Sequence, residues 1–188
     1  GYFTPDQSGI ATIYAAYGQV IESVNITVTA GSPIQLVVVP LAIAVTADET
    51  FTLNQIKVID ANGNIVPGET INLEFSNGTL STGTTLTTPI TTDVTWTPWT
   101  TGQQYLNATW GSQTISIPIS VSVGAPNYFE IVAASEIEAG NTTGFAIDVF
   151  DQRGNQMDSS LGGVLSWGAE NGVIDNATGS YTGDQIGT

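Results

Sequence analysis

The chain has 188 residues, with 17 acidic side chains against two basic ones, Lys57 and Arg153, a formal charge of −15, and neither His nor Cys. Nucleic acids and anionic membranes need a basic footprint, so neither is expected as a partner. Lack of Cys removes disulfide and thiolate chemistry, and lack of His removes a Ser-His-Asp triad. The acidic residues are scattered over turns and outward strand positions with no sign of a paired-carboxylate cleft, so no enzyme is expected and no catalytic or cofactor-binding residue is assigned. Hydrophobic residues make up 41% of the chain, enough for packed cores, while only 10% are charged, so hydroxyls and amides supply most of the surface polarity.

Residues 10–17 read as a strand with Ile13, Ala15 and Tyr17 on one face, followed by a tight turn at Gly18 and Gln19. Residues 20–28 alternate, with Val20, Val24, Ile26 and Val28 inward and Ile21, Ser23, Asn25 and Thr27 outward, the period of a half-buried antiparallel strand. The apolar run 33–45 is broken by Pro40 and is too short to cross a bilayer. It reads as a first strand that changes partner at the proline. A strand at 50–60, a DANGN turn at 60–64 and a strand at 69–75 follow, then a turn signal at Asn77 and Gly78. The Thr-rich stretch 79–101 holds two short strands, and 104–110 and 114–123 close the unit. From residue 125 the pattern starts over, with strands at 128–134, 145–151 and 164–167. No capped amphipathic helix is found, and the fold class is all-β.

The second start is a repeat. Pro5, Gly9, Gly18, Gly31 and Pro33 match Pro98, Gly102, Gly111, Gly124 and Pro126, each pair 93 positions apart. Val24, Ile26 and Val28 match Ile117, Ile119 and Val121, and Asp60, Gly63 and Asn64 match Asp151, Gly154 and Asn155. An aromatic-Thr-x-x-x-x-Gly motif begins at Phe3, Trp96 and Tyr181. The chain therefore divides into the C-terminal strands of one unit (1–32), a complete sandwich (33–124) and the N-terminal part of another (125–188), each unit the size of an immunoglobulin-like domain.

The pattern V-x-D-x-x-G-N-x-V-x-G-x-x-V-x-x-x-F, carried by Val58, Asp60, Gly63, Asn64, Val66, Gly68, Ile71 and Phe75, resembles the bacterial immunoglobulin-like domains of the invasin/intimin type found in bacterial and archaeal surface proteins. In the later copy Gln156, Met157 and Asp158 replace Ile65, Val66 and Pro67. The resemblance implies tandem immunoglobulin-like β-sandwiches in an extracellular structural protein, the repeat unit of a cell-surface filament, stalk or surface layer. The alternative is an adhesin module that binds a carbohydrate or protein through loops such as 93–101. Two readings of the ends stand together. In one, the chain is a window on a longer tandem array. In the other, it is a subunit whose front strands finish the sandwich of the next copy, as in donor-strand complementation. In both, the partner is an adjacent repeat or copy, head to tail.

Candidate sites are few. N-x-T sequons at Asn25, Asn77, Asn107, Asn141 and Asn176 mark a glycoprotein, with Asn25 and Asn107 on outward strand phases and the others in turns. The DANGN turn imitates the start of a calcium loop but lacks the distal bidentate Glu, and its copy places Arg153 where Asn62 stands, so no metal site is assigned. Charge alone leaves room for weak calcium binding at unit junctions through Glu49, Glu136 or Glu138. Trp167, Phe75 and Trp110 fall on inward phases. Trp99 matches Asp6 and Asp184 instead of an aromatic, and is read either as a contact residue for a sugar or neighbour or as local packing.

Overall fold

The structure, a computed structural model, describes residues 1–158, 166–170, 172–177 and 180–183. Every regular element among them is a strand, and the expectation of an all-β chain of tandem sandwiches is met. Strands β1 (Gly9–Tyr17) and β2 (Val20–Val28) form a hairpin around Gly18, whose φ of 65° suits a turn that other residues adopt at a cost.

The middle unit holds β3 (Gln35–Val39), β4 (Ile43–Thr46), β5 (Phe51–Leu53), β6 (Gln55–Ile59), β7 (Thr70–Phe75), β8 (Thr79–Leu80), β9 (Thr85–Thr87), β10 (Val94–Thr97), β11 (Gly102–Trp110) and β12 (Gln113–Ser122). The larger sheet has the order β4-β12-β11-β7-β9, and the smaller sheets β3-β6 and β5-β10-β8 supply the other side of the core. The change of partner at Pro40 is real: β3 pairs antiparallel with β6, and β4 pairs parallel with β12. The β4 ladder on β12 starts at Ile119, directly after Pro118, a residue with no N–H to offer. The stretch 50–60 is two strands and not one. It breaks at Asn54, whose N–H donates to the Val39 carbonyl, because β5 pairs with β10 while β6 pairs with β3. Residues 79–101 contain three short strands where two were expected.

Alternation decides the core. On β12, Ile117, Ile119 and Val121 are buried while Pro118, Ser120 and Ser122 are exposed, and they meet Leu36, Val38, Ile56 and Val58 of β3 and β6 in one cluster. Trp96 is fully buried, with its Nε1–H donating to the Asn77 carbonyl (2.9 Å) and the Phe51 ring edge-on at 5.6 Å. Gly78 allows that approach: it has φ 107°, and a Cβ there would lie 2.3 Å from the Thr97 carbonyl. Phe75 and Trp110 pack against the core as half-buried neighbours.

The third unit repeats the smaller layer. β13 (Pro126–Val132) pairs with β15 (Ala146–Asp151) as β3 does with β6, and β16 (Gln156–Met157) adds to β15. β14 (Thr142–Gly144), β18 (Ser180–Gly183) and β17 (Gly172–Asp175) are ordered β14-β18-β17, matching β5-β10-β8. Of the strand expected at 164–167, residues 164 and 165 lie outside the described residues; Trp167 is half-buried with its ring 6.0 Å from that of Phe145.

Replacing Ile117 with Ala removes buried methylenes from the centre of the sandwich. The I117A chain is expected to lose about 3 kcal/mol in urea unfolding followed by tryptophan fluorescence. A loss below about 1 kcal/mol would show that β12 does not pack in this register.

Candidate functional site

The polar side chains that recur in the repeat converge on the two junctions between units. At the first, the turn after β6 closes on itself: Gly63, at φ 84°, donates to the Asp60 carbonyl, and the Asp60 N–H to the Asn64 carbonyl. The Asp60 carboxylate is buried there. Its Oδ1 accepts the N–H groups of Asn62 and Asn64, both at 2.9 Å. Its Oδ2 accepts the Asn64 side-chain amide (3.0 Å) and, from the linker, the Gly31 N–H (2.7 Å). The Asn64 amide then reaches the preceding unit, with Oδ1 accepting from the Ser8 N–H (2.8 Å) and Nδ2 donating to the Asp6 carbonyl (2.9 Å).

The second junction repeats this pattern. Asp151 Oδ1 accepts from the Arg153 and Asn155 N–H groups, and Oδ2 from the Asn155 amide (2.8 Å) and the Gly124 N–H (3.0 Å). Asn155 Oδ1 accepts from the Thr101 N–H (3.2 Å), and Nδ2 donates to the Trp99 carbonyl (2.8 Å). Three hydrogen bonds thus cross each junction at equivalent positions, together worth on the order of 3 kcal/mol. Both linker glycines approach closely: a Cβ on Gly31 or Gly124 would sit 3.3 Å from the receiving carboxylate oxygen, and one on Gly124 also 3.1 Å from the Ala47 carbonyl, so a larger residue would push these groups apart by a few tenths of an ångström.

The same bonds set the electrostatics. The Asn64 amide, then the Gly31 N–H, hold the Asp60 carboxyl down to about 2 against the opposing effect of burial. Burial pushes Asp151 up, but the Asn155 amide and the N–H groups of Gly124, Asn155 and Arg153 outweigh it, leaving its pKa below the ordinary value.

The second junction carries one addition. The Arg153 guanidinium lies over the Trp99 ring, 5.2 Å from its centroid, and its Nε donates to Asp48 of the middle unit. Asp48 has a φ of 70°, and its own N–H donates to the Pro98 carbonyl. At the first junction the counterparts of Trp99 and Arg153 are Asp6 and Asn62, which make no such clamp. Trp99 is 41% exposed and held on both sides: its N–H donates to Asn77 Oδ1 and its carbonyl accepts from Asn155.

The sequons divide by environment. Asn25, Asn141 and Asn176 are exposed, and Asn107 is half-buried on β11. Asn77 is half-buried and engaged on both sides: Nδ2, the atom a glycan would take, donates to Gln104 Oε1 (2.9 Å), while Oδ1 accepts from the backbone N–H groups of Trp99 and Thr100; Asn141 Nδ2 makes only a longer bond, to Glu138 Oε2 (3.3 Å), in an exposed loop. The three glutamates are not brought together. Glu49 Oε2 accepts from Thr46, and Glu138 from Asn141, within their own loops. Among the described residues no group of three or more acidic side chains is placed to hold a metal ion. Asp48 and the reach of Asn64 and Asn155 were not legible as function in the sequence. The usable signal was the joint recurrence of a linker glycine and the D-x-x-G-N turn.

No protein-family model and no curated protein matches the chain. Among solved structures, it is similar to InvD of Yersinia pseudotuberculosis, with 20% identity and a TM-score of 0.49 over 80% of this chain and 52% of that one. It is similar to invasin, a bacterial integrin-binding protein, with 14% identity and a TM-score of 0.44 over 95% of this chain and 41% of that one. Domains 4–9 of the surface layer protein SbsC give 16% identity and a TM-score of 0.38 over 95% and 31%. The chain spans less than two thirds of the length of each.

The Asn155→Ala variant removes two crossing bonds and the amide bond to Asp151, and leaves the core of the middle sandwich untouched. Residual dipolar couplings are expected to show the second and third units reorienting independently, with urea stability of the middle sandwich changed by less than about 0.5 kcal/mol. Unchanged inter-unit couplings would assign the orientation to other contacts.

Acid acts on the same bonds. Asp60 is held to about 2 first by the Asn64 amide of its own turn and then by the Gly31 N–H; the part due to Gly31 crosses the junction, so the ionised form favours docking by that part. That contribution is present above about pH 4 and is lost as pH falls toward about 2. Inter-unit order at the first junction is expected to hold from neutral pH to about 4 and fall below it, whereas Asp60→Asn shows one loosened state across the window. An acid response in D60N equal to that of the parent would exclude Asp60 as its source.

Proposed function

We propose that the chain is a structural segment of an extracellular, cell-surface stalk or filament, in which immunoglobulin-like sandwiches are set in tandem and held at fixed angles. The observation that carries this reading is the duplicated junction, with the same carboxylate, amide and linker glycine fastening two successive unit pairs. Two independent domains on a flexible tether need no such bonds, whereas a load-bearing array needs them at every step.

The two junctions lie at opposite ends of the middle sandwich. The β3-β6 register places Gln35 and Ile59 beside the first junction and Val39 and Gln55 at the far end, and β4 and β12 run on to Thr46 and Ser122 beside the second. Force entering at one junction therefore leaves at the other along the strands. The reading is non-catalytic, in keeping with a chain that has neither His nor Cys. A glycosylated surface agrees with the exposed positions of Asn25, Asn141 and Asn176. The position of Trp99 beneath Arg153 favours a role between units over one as a free sugar platform.

Protease shaving of intact source cells tests the proposal. Peptides of this chain are expected in the shaved fraction, with glycans at one or more of Asn25, Asn141 and Asn176 and none at Asn77. Recovery only after cell lysis would refute the surface assignment.

A further inference from the structure

The smaller layer of the middle sandwich is split. β5 pairs with β10 and β6 with β3, so past the break at Asn54 the chain no longer pairs with the segment that leads into β10. A groove of about 320 Å³ lies at the split, lined wholly by residues between 53 and 94 of the middle unit. That volume is at the small end of the range for ligand sites. One edge of the groove is β6. The Val58 carbonyl accepts the Val66 N–H on the side of β6 away from β3. Backbone groups alternate along a strand, so those of Ile56 face the same side, where no strand pairs with them.

The polar side chains around the groove are Asn54, Gln55, Lys57, Thr91, Thr92 and Asp93. None of them makes a hydrogen bond or ion pair with another described residue. This sets the groove apart from the junctions, where the carboxylates and amides are taken up. Arg153 is committed to the second junction, which leaves half-buried Lys57 as the one basic side chain open to an anion. The fold does not require a cation there. In the third unit Asp148 stands where Lys57 does and Gln156 where Ile65 does, and the Gln156 amide donates to Asp148 (2.8 Å). In the middle unit the same two positions hold an unpaired ammonium and an isoleucine that is 43% exposed.

We propose that this groove binds a saccharide that carries a carboxylate, a uronate residue of an acidic glycan. The Lys57 ammonium receives the sugar carboxylate in a charge-assisted bond, about twice as strong as a neutral one. The Asp93 carboxylate accepts from ring hydroxyls, and the Asn54 and Gln55 amides and the Thr91 and Thr92 hydroxyls serve the rest. Ile65 and Ile90 line the groove as well and offer apolar surface to the C–H face of the ring. A bare anion would be repelled by Asp93, whereas a hydroxylated acid uses both charged groups. The chain carries a formal charge of −15, which repels a long polyanion before it reaches Lys57, so short oligomers are the suitable probe.

The test is an NMR chemical-shift titration of the 188-residue chain with short glucuronate oligomers, glucose oligomers of equal length and an oligo-aspartate peptide. Glucuronate is expected to shift amides in 54–57 and 90–93. Glucose oligomers are expected to bind about tenfold more weakly, for want of the bond to Lys57. Lys57→Gln is expected to remove that preference. Asp93→Asn is expected to weaken both saccharides, whereas a site for bare negative charge would gain affinity from the loss of that carboxylate. Both positions lie outside the core cluster, and circular dichroism of each variant checks that the sandwich is intact. Surface exposure and the junction bonds are tested separately, by shaving and by the Asn155 variant. No saturable shift with glucuronate would overturn the proposal. So would equal binding of glucose oligomers, shifts centred on Trp99, a preference that survives in K57Q, or an aspartate peptide that binds the groove more tightly than the saccharide.

Discussion

The carboxylates of Asp60 and Asp151 each serve two structures at once. One oxygen caps the local turn, and the other receives the N–H of the glycine that leads in from the preceding unit. A buried charge is tolerated only when its acceptor sites are filled, and here four donors fill them. Two are backbone groups of the turn itself, so the carboxylate is already oriented before the neighbouring unit docks. The linker glycine then completes a prepared site. The Asn64 and Asn155 amides extend the same arrangement one layer outward, since each touches its carboxylate and a strand-entry segment of the unit before it. Direction is therefore built in at every junction: the turn of one unit grips the end of the unit that precedes it.

The junctions are similar but not identical. The second adds Arg153 across Trp99 to Asp48, using one of only two basic side chains in the chain. These groups are partly exposed, so screening limits the ion pair to about 1 kcal/mol or less and the cation–π contact to a similar value. The clamp supplements the hydrogen-bonded latch and does not replace it.

Much of the fold could be read along the chain. The period-two alternation of 20–28 and 114–123, the gapless glycine and proline matches, and the change of partner at Pro40 are local signals, and the strands follow them. The break at Asn54 had a local sign, the shift of the apolar phase from Phe51 and Leu53 to Ile56 and Val58, but only the separate partners of β5 and β6 show that it divides two strands. The DANGN segment was read as a turn, which it is, yet its second role depends on Gly31 and Ser8, 29 and 56 residues away. Asn77 was read as an open turn position. Its side chain instead braces the loop that follows β10, because Trp96 and Gly78 draw that loop against it.

Sequence alone determined the all-β class, the repeat, its register, and which face of each strand is apolar. Those properties depend on spacing along the chain and on the alternation of side chains across a pleated strand. Tertiary structure decided which polar groups meet across a junction, which sequon amides are engaged, and which apolar faces are covered. Hydrogen bonding and burial depend on what another part of the chain brings alongside. Ile117 is apolar by its phase on β12, and only the layer of β3 and β6 packed over it makes it core.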